Sequence, residues 1–264
     1  MPPAIMEIRG RGQFLTKIVL VIGSAPEAVQ ALEFDTRRID RIVAINNAWR
    51  IRSDWTHLVH PEDFPEDRRP RPAPGQQLMT YQDYVPANNR FGGIVYAGGT
   101  MVFSAGYWAL DALRPDILAF CGCDMVYDRR AGPSHFYGVG QADPLRADPT
   151  LQSLEAKANR LAILAAGEGC LCVNLSGLPQ SRLTFPRMAS AMLAGDLAAF
   201  HRAGLASVRA RIAEAARAEV VALEARQNIF VPTGDYWRSP TDLDAGVLSS
   251  IDRLWLAALA APAG

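Results

Sequence analysis

The side chains best suited to chemistry fall into short groups, each at the end of an apolar run. Gly23-Ser24-Ala25-Pro26 closes the aliphatic run Ile18–Ile22 and leads into a helix-like stretch from Glu27. So small a turn lets backbone N–H groups approach a phosphate, and the helix N-terminus behind it favours negative charge. Pro26 suits the first helical turn, where its missing N–H costs little. Asn46-Asn47 ends a second apolar run, and amides at such a place suit base or ribose reading, with capping of the next turn as the structural alternative. Gly98-Gly99-Thr100 opens a strongly helical segment and forms a second candidate anion or sugar-carboxylate site, or else a tight helix–strand packing contact. His60 and Asp124 each stand at the end of a further apolar run. Residues 125–149 are irregular and rich in Tyr127, Asp128, Arg129, Arg130, Ser134, His135 and Tyr137, the composition of a lid.

These groups need a scaffold that brings strand ends together. Ile18–Ile22, Arg41–Ile45, residues 55–59, residues 116–124 and residues 170–175 read as strands, separated by stretches with helical spacing. Alternation of this kind implies an α/β fold with a doubly wound, mainly parallel sheet. In a parallel sheet Gly23, Asn46, His60, Gly99 and Asp124 would share one edge, and that convergence argues for a site more strongly than any one of them. Residues 61–89, rich in Pro, Arg and Gln, read as a long irregular loop with a short strand near Leu78. Residues 151–167 read as a helix with Leu154, Ala158 and Leu161 inward and Glu155 and Lys157 outward. Beyond residue 187 the chain turns rich in Ala, Leu, Arg and Glu. One or two long helices are expected over 188–226 and another over about 242–260. The expected organisation is an α/β domain over 1–187 and a helical extension over 188–264, which packs on the sheet or forms a subunit interface.

Composition narrows the function classes. The 264 residues hold 27 Lys+Arg against 27 Asp+Glu, so no basic excess favours a nucleic-acid partner. No run approaches the ~20 apolar residues of a membrane span, and the N-terminus lacks the features of a secretory signal. The expected location is cytoplasmic, with peripheral association at the inner face of the membrane compatible with it. Cys121, Cys123, Cys170 and Cys172 form two C-x-C pairs in strands, which lack the usual zinc-knuckle spacing and are expected to be core thiols.

In order and spacing these landmarks resemble those of the bacterial sialyltransferases of glycosyltransferase family 42, and more distantly the 6-hydroxymethylpterin diphosphokinase-like proteins, over about residues 17–187. The family's G-N-G-P-S turn aligns with Gly23-Ser24-Ala25-Pro26-Glu27, its C-N-Q with Ile45-Asn46-Asn47, and its N-P with His60-Pro61. Its T-S-G falls on Gly98-Gly99-Thr100, its S-G-I-D on Cys121-Gly122-Cys123-Asp124, its S-H-Y-I-G on Ser134–Gly138, and its Y-C-L-C-P-N on Gly169–Asn174. The resemblance implies a Rossmann-like sheet of the glycosyltransferase type A variant. It also implies sugar transfer from a CMP-activated donor to a glycan or lipid-linked acceptor, with no metal or other cofactor. In that reading Gly23, Ser24, Ala25 and Asn46 line the nucleotide site, Asp124 meets the ribose or base, and Gly99 and Thr100 lie near the sugar carboxylate. Tyr127 and Tyr137 would donate to the phosphate of the leaving CMP. The family's catalytic histidine falls on Val139, so His135 is the nearest substitute as general base and His60 the second candidate. The turn also departs from the family at Ser24 and Ala25.

Two other readings stand beside this one. A diphosphokinase-like transferase would use ATP and Mg²⁺ and needs a carboxylate cluster, for which Asp124 with Asp128 is the evident pair. A non-catalytic nucleotide- or sugar-binding protein fits the loss of the family histidine. A dehydrogenase does not fit, because the first turn is not G-x-G-x-x-G. Homo-oligomerisation through the C-terminal helices is compatible with all of them.

Overall fold

The computed structural model describes residues 16–97, 99–127, 133–138, 148–238 and 243–261. Five consecutive β-branched and aliphatic residues build β1 (Ile18–Ile22), and none of them is more than 1% exposed. β5 (Ile117–Cys121) is buried to the same degree, so both faces of the sheet's centre are covered, as a parallel sheet requires. β2 (Arg41–Ile45), β3 (His57–Val59), β4 (Gln77–Met79) and β6 (Leu171–Asn174) complete a six-stranded sheet in the order β4-β3-β2-β1-β5-β6. Every pairing between these strands is parallel. The result is a Rossmann-like α/β fold. The chain lays β2, β3 and β4 outward from one side of β1, then returns to place β5 on the other side. The order therefore reverses between β1 and β5, where Ile22 lies opposite Cys121.

The described residues form six α-helices: α1 (Tyr81–Asn89), α2 (Met101–Trp108), α3 (Leu154–Gly167), α4 (Leu197–Ala210), α5 (Glu214–Gln227) and α6 (Ala245–Ala258). All eight residues of α2 are buried, matching its uniformly apolar sequence, and a π-helical turn, Ala109–Leu113, continues it. The stretch after β1 forms a 3-10 helix, Pro26–Glu33, and not an α-helix.

Two expectations need correction. Residues 61–89 are not one loop, because α1 occupies their last turns. Its start is fixed by a capping box in which the Thr80 N–H donates to the Asp83 carboxylate at 2.8 Å. Pro86 sits inside this helix, and its breaker character hid the helix from the sequence. Lys157 does not face outward: it is 7% exposed, and its Nζ lies 3.3 Å from Asp252 Oδ1 on α6. Burial lowers the Lys157 pKa and raises that of Asp252. The contact ties α6 to α3, and Asn159 Nδ2 adds a 3.2 Å bond to the Trp255 carbonyl. The apolar face of α6, with Ile251 and Trp255, is thus consumed within the chain. All four cysteines are free and buried.

Candidate functional site

Where the strand order reverses, the loops leaving β1 and β5 are normally splayed apart and leave a crevice. Here they are stitched together at their base. The Gly23 N–H donates to the Cys121 carbonyl at 2.9 Å, and that of Ala25 to the Gly122 carbonyl at 3.1 Å. Both glycines are required by the closeness of the turns. A Cβ on Gly23 would lie 2.3 Å from the Gly122 carbonyl oxygen, and one on Gly122, whose φ is +63°, would lie 2.3 Å from Ala28 Cβ. The backbone donors of Gly23 and Ala25 therefore serve this stitch and are not directed at a ligand.

Above the stitch is a cavity of about 100 Å³. One wall is the end of β2, where Asn46 adopts a left-handed backbone, φ 51°, with its buried Oδ1 lacking a hydrogen-bond partner among the described residues. The opposite wall is the turn after β5, where Met125 is likewise left-handed at φ 53°. Arg114 and Asn228, the other described non-glycine residues with positive φ, are helix C-caps, where that conformation is ordinary. Asn46 and Met125 have no such role, and strain of this kind gathers at ligand sites. Thr100, at the N-cap of α2, also lines the cavity and donates to Met125 Sδ at 3.8 Å.

The roof is a tight turn over residues 134–138, closed by reciprocal 3.0 Å backbone bonds between His135 and Gly138. It is pinned to the first turn by the Phe136 N–H, which donates to the Ser24 carbonyl at 3.1 Å. This pin brings His135, 6% exposed, over the cavity with Tyr127 and Tyr137 beside it. Tyr137 stacks on the imidazole with centroids 4.9 Å apart, and Tyr127 lies at 6.2 Å. His135 Nδ1 is 2.8 Å from Ser134 Oγ, while Nε2 has no partner among the described residues. Burial lowers the His135 pKa, which favours the neutral ring, the form able to accept a proton. Around this imidazole stand two phenols, the Ser24 and Thr100 hydroxyls and the Asn46 carboxamide. The set can deprotonate a hydroxyl at one point and donate hydrogen bonds to an oxyanion at others.

The structure thus brings Gly23, Ser24, Ala25, Asn46, Thr100, Tyr127, His135 and Tyr137 to one cavity. His60, Asp124 and Gly99 are not among its lining residues. His60 is 2% exposed at the end of β3, with Nδ1 donating to the Pro61 carbonyl at 2.8 Å and its ring against Phe64. Burial lowers its pKa, more than the Pro61 bond raises it. Asp124 turns toward β6: its Oδ1 accepts from Asn174 Nδ2 at 3.3 Å and lies 4.0 Å from Arg187 Nη1, while Oδ2 is buried without a partner among the described residues. Gly98, Asp128, Arg129, Arg130 and Val139 lie outside the described residues. Among the described residues no group of three or more His, Cys, Asp or Glu is placed to hold a metal.

Met125, Cys123, Met101 and Val102 also line the cavity and were not legible as site residues. Cys123 read as a core thiol. It is that as well, since burial pushes its pKa well up. The partner of the imidazole, Ser134, could have been found from simple adjacency to His135. Comparison of the chain with protein-family models, curated proteins and solved structures finds no match.

Proposed function

We propose that the protein is a metal-independent glycosyltransferase, sialyltransferase-like, that moves a sugar from a CMP-activated donor to a glycan or lipid-linked acceptor on a type A variant of this fold. The observation that carries the reading is the buried His135 held over a switch-point cavity beside Tyr127 and Tyr137. His135 Nε2 takes the proton of the acceptor hydroxyl. The acceptor oxygen then bonds to the anomeric carbon as the bond from that carbon to the CMP phosphate oxygen breaks. CMP leaves with the electron pair, and the Tyr127 and Tyr137 hydroxyls donate to its phosphate, a kind of stabilisation worth several kcal/mol.

A nucleotide sugar is larger than about 100 Å³. In this reading the donor reaches beyond the cavity and only part of it is seated there. The metal-dependent diphosphokinase reading is less well supported, since Asp124, the carboxylate it would use, is bonded to Asn174 and is not part of the cavity lining.

Thermal melts in the presence of CMP, CDP, ATP·Mg²⁺ and NAD test the assignment. CMP without metal is expected to raise the midpoint, and a rise with ATP·Mg²⁺ alone would overturn the reading. A binding protein without catalysis would respond to CMP and leave a CMP-sugar donor unhydrolysed. The variant His135→Ala should retain the CMP shift and lose transfer by about 10²–10⁴-fold. Unchanged turnover in that variant removes His135 from the chemistry.

A further inference from the structure

A second and larger cavity, of about 470 Å³, lies away from the strand ends, among α3, α5, α6 and the turn after α1. That volume is within the range of small-molecule sites, whose walls are mainly apolar with a few fixed polar groups. Phe91, Tyr96, Phe230 and Trp255 supply aromatic walls, and Arg160 lies among them at 4% exposure. The guanidinium is held from several sides. Its Nε and Nη2 each donate to Glu224 at 3.1 Å, Nη2 donates also to the Phe91 carbonyl, and Nη1 donates to Tyr107 Oη at 2.9 Å. Glu224 in turn accepts from Trp255 Nε1 at 2.6 Å. The Tyr96 ring lies against the cation, 4.2 Å from its carbon to the ring centroid.

These bonds occupy four of the five N–H groups of the guanidinium. The second Nη1 hydrogen has no partner among the described residues. A Cβ on Gly92 would lie 2.6 Å from Arg160 Nη2, so only glycine lets this turn pack so close to the guanidinium. Phe230, at the rim, remains 38% exposed although it packs on Gly93.

We propose that this cavity is a second binding site, for a flat, uncharged aromatic ligand that carries one hydrogen-bond acceptor. The class follows from three features. Glu224 already neutralises Arg160, and the remaining charged lining residues, Arg90 and Glu168, have opposite sign, so a charged ligand gains no net attraction. A planar cation among aromatic rings is a platform on which another ring stacks. The remaining Nη1 hydrogen calls for an acceptor, because a buried donor without one is costly. This site does not depend on the transferase reading, and its ligand would not compete with CMP.

Ligand-observed NMR and calorimetric titration with quinoline, indole and decanoate test it. Quinoline, aromatic with an acceptor nitrogen, is expected to bind tighter than about 1 mM. Indole, which offers a donor instead, should bind more weakly, and decanoate should not compete. Both Phe230→Ala and Val221→Trp, the second filling the space from an exposed position on α5, should weaken quinoline by about tenfold or more. Each variant should do so without shifting the thermal midpoint of the free protein. Equal binding in Val221→Trp, binding of decanoate in place of quinoline, or no quinoline binding at millimolar concentration would each overturn the proposal.

Discussion

Asn46 is held in a conformation that costs about 1 kcal/mol for a residue with a Cβ, with a buried carboxamide oxygen unpaired among the described residues. Both terms oppose folding, and a bound ligand that donates to Oδ1 would relieve the second. Asn46→Gly is therefore expected to raise stability by about 1 kcal/mol and to weaken the CMP-dependent thermal shift. A variant less stable than the parent, with the shift intact, would contradict this. Gly122→Ala should act in the opposite sense, because its Cβ would overlap Ala28 at a φ of +63°. A loss of about 2–4 kcal/mol in denaturant melts is expected. The histidines contribute to the loss of stability just below neutrality. Burial is the largest cause lowering the pKa values of His57, His60 and His135. Below their unfolded value of about 6.5 the unfolded chain binds protons first, so stability is full above that pH and declines as pH falls beneath it. The denaturation midpoint at about pH 5.5 should lie below that at about pH 7.5. Asp124 shows why residue-level reading from sequence stopped short. Beyond β5 the chain turns through left-handed residues at Gly122 and Met125, and Cys123 and Met125 line the cavity while Asp124 between them turns to Asn174. The expected strand ran to Asp124, whereas β5 ends at Cys121, and the sequence did not tell which side each residue would take.

Among the elements, the strands were legible wherever several aliphatic residues ran together, as in β1, β2 and β5. The helix α1 was not, because Pro86 masks it and its start depends on the bond between Thr80 and Asp83. Asp83→Ala is expected to cost about 1 kcal/mol and to fray α1, read as faster amide exchange over Tyr84–Asn88. Helical spacing likewise misplaced Lys157, since periodicity counts a lysine as outward and cannot see an aspartate nearly a hundred residues later. The buried pair between α3 and α6 makes a sharper forecast. Lys157→Met alone should cost about 3–5 kcal/mol by stranding Asp252, and adding Asp252→Leu should restore most of it. A double variant as unstable as the single one would show that the pair does more than neutralise itself. The turn over residues 134–138 is attached at the site through the bond from Phe136 to Ser24. Its roof position was not legible, because nothing local in the sequence encodes a bond to a turn more than a hundred residues earlier.

At the scale of the whole molecule, alternation of strand and helix was enough to imply the Rossmann-like sheet, and the structure sharpens "mainly parallel" to parallel throughout the described strands. The C-terminal helices were legible as helices, while their destination against α3 depended on Lys157–Asp252 and Arg160–Glu224, contacts between residues far apart in sequence. The same distance governs how the cavity comes into being. Its floor is the stitch of Gly23 to Cys121 and Ala25 to Gly122. The first of each pair leaves the ribosome about a hundred residues before the second. Until β5 emerges, β1 has a bare flank where its central neighbour belongs, and β2, β3 and β4 can assemble only on the other side. A nascent chain halted before β5 is thus a half-sheet with an open hydrophobic edge, which is a substrate for chaperones and a hazard for aggregation.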